Sequence, residues 1–228
     1  MNISSGQSQN FSDGHLEVNN KGSAGGHLHG VVEEDQNRAR LYGLLSRVLA
    51  APMSNDTLEI VRGLSSAQVG DESDVLEALG EIGKIAIKTT RVSAEEEYTL
   101  LFHGMGSGGE IQPYLSYYLT GFVYEKPLAS LRDNLREIGI KASGVSKEPE
   151  DHMAFICEVM SGLILGTFHK VASLLEQKQF FQRHLEPWGM RFFKDLEEAK
   201  SAKLYKPIGM LGQVFLNIEE EAFSMVND

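Results

Sequence analysis

The apolar residues of this chain recur, segment after segment, at the spacing of one helix face. From residue 34 onward, Leu41, Leu44, Leu45, Val48 and Leu49 form an amphipathic stripe that must end before Pro52, since proline drives its predecessor out of the helical region. A shorter helix is predicted after Asn55, with Leu58, Val61 and Leu64 inward. Another covers 74–88 through Val75, Leu76, Leu79, Ile82 and Ile85, and 95–102 continues in the same register. A helix over about 125–138 turns Leu128, Leu131, Leu135 and Ile138 to one side. The longest periodic segment runs over about 150–176, entered through a first turn fixed by Pro149, with Met153, Ile156, Met160, Leu163, Ile164, Val171, Leu174 and Leu175 in phase. Trp188, Phe192, Leu196 and Ala199 predict one more helix, and Leu204, Ile208, Leu211, Phe215, Ile218 and Ala222 a last one. No run alternates as a strand does, and no internal repeat is visible. The expected fold class is all-α, a helical bundle.

The polar stretches divide this pattern. Residues 1–33 are rich in Ser, Gly, Asn and Gln with few large apolar groups, a composition that cannot offset its ordering entropy, so a flexible tail is expected there. His15, His27 and His29 lie in it without a carboxylate or cysteine framework, which implies loose metal scavenging or nothing. A second polar stretch, 139–149, contains Gly139, Ser143, Gly144, Ser146 and Lys147 and reads as a hinge between two helical lobes, 34–138 and 150–228. Gly104 to Gly109 formally satisfies the G-x-G-x-x-G dinucleotide pattern, but that pattern needs a buried strand in front. Residues 94–103 look helical and carry three consecutive glutamates, so a plain connection is expected.

Composition narrows the function. The formal charge of −11 argues against binding a nucleic-acid backbone and favours basic partners. The single Cys157 cannot form an internal disulfide and sits in a helical pattern as a small buried hydrophobe. The apolar runs are too short to span a bilayer, and no basic segment followed by an apolar core opens the chain, so no stable membrane insertion and a cytoplasmic location are expected.

The chemistry concentrates at Glu148-Pro149-Glu150-Asp151-His152, where three acids and a histidine meet at the start of the longest helix, and acids suit the positive end of a helix dipole. Capping alone accounts for such residues at a helix start. The aromatics Tyr114, Tyr117, Tyr118, Phe122 and Tyr124 cluster upstream, as core packing or as the wall of a partner groove. An enzyme reading takes Glu148, Asp151 and His152 as the acid, base or metal groups of a hydrolase. It lacks a His-Glu-x-x-His pair, a Cys-x-x-Cys pair and a nucleophile elbow.

The Glu-Pro-x-Asp-His sequence leading into a long helix resembles the signature of the TorD/DmsD/NarJ family of molybdoenzyme maturation chaperones. Tyr98-Thr99-Leu100-Leu101-Phe102 resembles the family's Tyr-x-x-Leu-Phe element, and Pro113-Tyr114 and His184-Leu185-Glu186-Pro187-Trp188 look like two more. The resemblance extends from Asp35 to the C-terminus, leaving the tail outside it. It implies a TorD-like bundle without catalytic residues, cofactor or metal of its own. It also implies a cytoplasmic, client-specific chaperone that binds the twin-arginine leader and the apo form of a molybdoenzyme catalytic subunit, assisting cofactor insertion and proofreading before export. The family's clients include trimethylamine N-oxide, dimethyl sulfoxide and nitrate reductases and formate dehydrogenases. Its members occur as monomers and as domain-swapped dimers, for which 139–149 is the expected hinge. A leader is cationic and apolar, so its receptor needs acids beside a hydrophobic groove. The residues expected to bind it are Glu148, Pro149, Asp151, His152, Tyr114, Tyr117, Tyr98, Phe102 and Trp188, with Asp151 and His152 as direct contacts.

Overall fold

A computed structural model describes residues 16–18, 31–66, 73–104, 108–142 and 147–227. Among them lie ten α-helices: α1 (Glu33–Ala50), α2 (Asn55–Gly63), α3 (Asp74–Lys88), α4 (Arg91–Tyr98), α5 (Leu115–Thr120), α6 (Lys126–Glu137), α7 (Met153–Leu165), α8 (Leu174–His184), α9 (Gly189–Glu198) and α10 (Tyr205–Ser224). The all-α expectation holds.

Helix α7 lies deep in the bundle because its sequence, Glu158 and Ser161 apart, is apolar around the helix. Met153 to Cys157, Val159, Met160 and Gly162 to Ile164 are all buried, the pattern of a helix enclosed by others. It lies against α1, where Ser161 Oγ donates to Ala39 O at 3.0 Å. Helix α10 closes on α9 through glycine: a Cβ on Gly212 would meet the Phe193 ring at 2.2 Å, so only the absent side chain allows this approach. Buried side chains from both sides of 139–149, from Ala39 in α1 to Phe223 in α10, form one apolar cluster.

Two buried acids tie distant helices together. Glu219 of α10, fully buried, accepts from Arg38 Nε at 2.6 Å and from the Tyr42 hydroxyl at 3.0 Å, both on α1. Glu97 of α4 receives the backbone N–H groups of Lys203 (2.7 Å), Leu204 (3.2 Å) and Tyr205 (2.9 Å), and so caps the start of α10 from another helix.

Four expectations need correction. The single helix over 150–176 is two: α7 stops at Gly166, whose φ of 71° reverses the chain, and α8 restarts after a Ser173/Glu176 capping box. Val171 and Leu174, in phase with the stripe, are consequently exposed. The first turn is not at Pro149 either, because α7 begins at Met153 with His152 as its N-cap. The register expected over 95–102 breaks at Thr99, where α4 passes into a π-helical turn, Thr99–His103, that buries Leu101 and Phe102 while exposing Leu100. Ile138, placed on the inner face, is exposed just past the end of α6.

Two short strands also occur: β1 (Leu16–Val18) and β2 (Ile140–Ala142) pair antiparallel, with Leu16 opposite Ala142 and Val18 opposite Ile140. Three residues hold too little alternation to show as a strand in the sequence. The rest of the expected tail up to residue 30, with His15, His27 and His29, lies outside the described residues.

Candidate functional site

The motif Glu148 to His152 precedes α7 and lies across the start of α5. Leu115 N–H donates to Asp151 O at 2.9 Å and Met153 N–H to Pro113 O at 2.8 Å, an antiparallel bridge between Tyr114 and His152. The two side chains in the middle complete the joint. His152 Nδ1 accepts from Ala154 N–H at 3.1 Å, capping α7 and leaving the proton of the neutral ring on Nε2. Asp151 Oδ2 accepts from the Ser116 N–H at 2.9 Å and from Ser116 Oγ at 2.5 Å, so it caps α5 from a segment 35 residues away. Asp151 is 0% exposed and His152 4%, and Asp151 Oδ1 accepts no hydrogen bond from the described residues.

Around this buried floor, which includes Pro149, stands an exposed rim. The Tyr114 hydroxyl donates to Glu148 Oε2 at 2.5 Å, and its ring meets the His152 ring edge-on at 5.3 Å. Burial, then the bond to Glu148, pushes the Tyr114 pKa far up, so the phenol stays a donor. Arg132 of α6 brings Nε (2.8 Å) and Nη2 (2.6 Å) onto the single oxygen Oε2 of Glu150. That hydrogen bond raises the arginine's pKa.

The remaining expected site residues separate into two groups. Tyr98 lies close enough to the rim that Glu148, after burial, helps raise its pKa, but its hydroxyl is taken by Leu49 O at 3.2 Å and its ring by Phe102 at 4.8 Å. Tyr98, Phe102 and Trp188 are all core residues; Trp188 donates to His184 O at 2.8 Å and packs on Tyr118, away from the acids. Tyr117, by contrast, is exposed on α5.

Tyr117 borders a cleft of about 750 Å³ between α5 and α9, lined also by Glu110, Tyr118, Arg191, Asp195 and Glu198. The Tyr118 hydroxyl donates to Asp195 Oδ2 at 2.8 Å, and the Arg191 guanidinium lies 5.5 Å from the Tyr118 ring centre. Sequence reasoning missed Ser116, Arg132 and this cleft. Ser116 was within reach, two residues past Tyr114 in the same short motif; nothing sequential couples Arg132 to Glu150 or Tyr118 to Asp195.

Of the three groups assigned to a hydrolase, Asp151 and His152 cap α5 and α7 and Glu148 accepts from Tyr114. Among the described residues no group of three or more His, Cys, Asp or Glu is arranged to hold a metal ion. No described helix is long and apolar enough to cross a membrane.

Comparison with known proteins gives a consistent result. The family described as nitrate reductase delta subunit matches residues 69–194. A protein named chaperone protein TorD from Aliivibrio fischeri is 28% identical over 203 residues, covering 81% of this chain and 94% of that protein. One of the same name from Actinobacillus succinogenes is 24% identical over 186 residues, covering 78% and 93%. A crystal structure described as that of a redox enzyme maturation protein from Archaeoglobus fulgidus shares the fold, with a TM-score of 0.56 at 20% identity over 87% of this chain and 99% of that one.

Proposed function

Because this chain belongs to the nitrate reductase delta subunit family, the TorD/DmsD/NarJ group of redox enzyme maturation chaperones, we propose that it binds the twin-arginine leader and the apo form of a molybdenum-containing oxidoreductase before export. It acts in the cytoplasm by binding rather than by turnover, assisting cofactor insertion and proofreading the client. The observation that carries this function is similarity running through 94% of a protein named as a chaperone.

The rim at the start of α7 is the proposed seat of the basic residues. Glu148 is exposed and Glu150 half-buried, with one carboxylate oxygen of Glu150 engaged by Arg132. An incoming guanidinium competes with Arg132 for the fork geometry that a carboxylate prefers. Asp151 and His152 serve this site by fixing the joint between α5 and α7 on which the rim stands. Tyr98 and Phe102 support it from the core and Trp188 supports Tyr118 at the neighbouring cleft, while Tyr114 and Tyr117 face the peptide. The lobe division at 139–149, with a domain-swapped dimer hinged there, belongs to the same proposal. It is checked by whether a dimer fraction on size exclusion disappears when that connection is shortened.

Capture of the tagged chain from native cells, followed by mass spectrometry, tests the function. A leader-bearing molybdoenzyme subunit should dominate the recovered proteins. Recovery of unrelated proteins alone, together with undiminished molybdoenzyme activity in a deletion strain, refutes it.

A further inference from the structure

The chain between α5 and α6 has a conformation that its sequence does not favour. Tyr124 has φ of +62°, the left-handed region that strains an L-residue with a Cβ, and it is the one non-glycine residue with positive φ among those described. Packing does not account for this strain, because Tyr124 and Phe122 are each 69% exposed, with Val123 between them also exposed. Strained backbone around solvent-facing aromatic rings belongs to sites that meet a partner.

The loop is also held rigid. Gly121, at φ +83°, closes α5 by donating to Tyr117 O at 2.8 Å. Thr120 Oγ1 accepts the Phe122 N–H at 3.2 Å and donates to Ser116 O at 2.8 Å, the same Ser116 that Asp151 caps. Pro127, in the first turn of α6, fixes the far end. The backbone that leads to the Phe122 ring is therefore restrained, which lowers the entropy lost when the loop is covered. The loop lies between the two features of the site. Tyr124 lies near Tyr114 and Arg132, and Tyr117 and Gly121 line the cleft facing Asp195 and Glu198.

We propose that the loop Phe122-Val123-Tyr124 is the apolar half of the client site, where the hydrophobic stretch of a leader-type peptide packs beside its arginines. This rests on the leader-binding function above. Two observations select that occupant over a second copy of the chain. The exposed side chains of Tyr117, Phe122, Val123 and Tyr124 amount to a few hundred Å², on the order of a single functional patch and below the roughly 800 Å² per partner that a standing dimer needs. The cleft continuing from the loop holds Glu110, Asp195 and Glu198 against Arg191 and Lys200, an acid excess matching the −11 of the whole chain and complementary to a cationic segment.

Calorimetric titration of the full chain tests this, using a synthetic peptide of two adjacent arginines followed by a run of leucine and alanine. Tyr124→Gly removes the ring and relieves the backbone. Affinity should fall about tenfold while Tm stays level or rises by about 2–4 °C; Tyr124→Phe should keep the affinity. Affinity of Tyr124→Gly within twofold of the unaltered chain overturns the proposal, as does a markedly lower Tm, which shows the ring to be packing. So does a shift from dimer to monomer by sedimentation with peptide affinity intact, which makes the loop a contact between copies. If the unaltered chain fails to bind the peptide, the leader-binding function itself is refuted.

Discussion

Replacing Asp151 distinguishes a residue that supports the site from one that touches a client. Its carboxylate receives two hydrogen bonds from Ser116, N–H at 2.9 Å and Oγ at 2.5 Å, at full burial. Hydrogen bonds to a charged acceptor contribute about 1.5–3 kcal/mol each, and a buried donor left without a partner costs a further 1–3 kcal/mol or so. Relief from burying a carboxylate, one of whose oxygens has no donor among the described residues, offsets part of this. Asp151→Ala should therefore lose about 2–4 kcal/mol, read by urea denaturation followed by far-UV circular dichroism, or a Tm lower by about 5–12 °C for a chain of this length. Asp151→Asn keeps an acceptor and should lose roughly 1 kcal/mol. Ser116→Ala should cost about 1 kcal/mol in the unaltered chain and almost nothing in Asp151→Ala, since the two residues share the bond. A loss below about 0.5 kcal/mol for Asp151→Ala, or strict additivity with Ser116→Ala, refutes the capping role and returns Asp151 to the client interface.

Substitutions at two further residues test other buried groups. Glu97→Ala removes three caps from α10 and should cost about 2–4 kcal/mol in the same denaturation assay, while Glu97→Gln keeps part of that; an unchanged midpoint denies the cap any energetic role. His184 is held at Asn134 Oδ1 (2.9 Å) and against Phe180, and burial, then the charge of Arg183, lowers its pKa from 6.5 to about 4. The folded state thus resists a proton that the unfolded chain accepts, so its contribution to stability is intact above pH 6.5 and lost progressively as pH falls toward 4. Tm measured from pH 7 to pH 4 should fall less steeply in His184→Gln than in the unaltered chain; parallel curves contradict the shift.

The periodic stripes made most helices legible because a buried face records itself in the spacing of leucine, isoleucine and phenylalanine, as over Asp74–Lys88. The breaks were harder to see. Residues 166–173 keep apolar groups in helical phase by coincidence, and only the left-handed Gly166 and the Ser173 cap reveal the turn. The π-turn at Thr99 leaves no mark in composition. For the site, the motif was visible but its burial was not. Asp and His suggest surface chemistry, whereas the Ser116 N–H and hydroxyl that hold the Asp151 carboxylate belong to a helix 35 residues earlier. Tyr124 was visible as one of a cluster of aromatics, but its strained dihedral was not, because it is imposed by its neighbours and not written in its own identity.

The buried motif and the exposed loop are mechanically one object. Asp151 fixes Ser116; Ser116 O receives the Thr120 hydroxyl; Thr120 in turn holds the Phe122 N–H, so three hydrogen bonds run from the core to the first projecting ring. On the other side, His152 fixes the start of α7, the most deeply enclosed helix of the bundle. Strain at Tyr124 persists only while its surroundings outweigh it, and this chain of bonds supplies that restraint. Loosening Asp151 should therefore disorder residues 121–125 before it unfolds the bundle. In hydrogen exchange on Asp151→Asn, the amides of Gly121 and Phe122 should lose protection while those of α7 keep theirs. Equal loss in both, or none in the loop, breaks the proposed link between the motif and the aromatic surface.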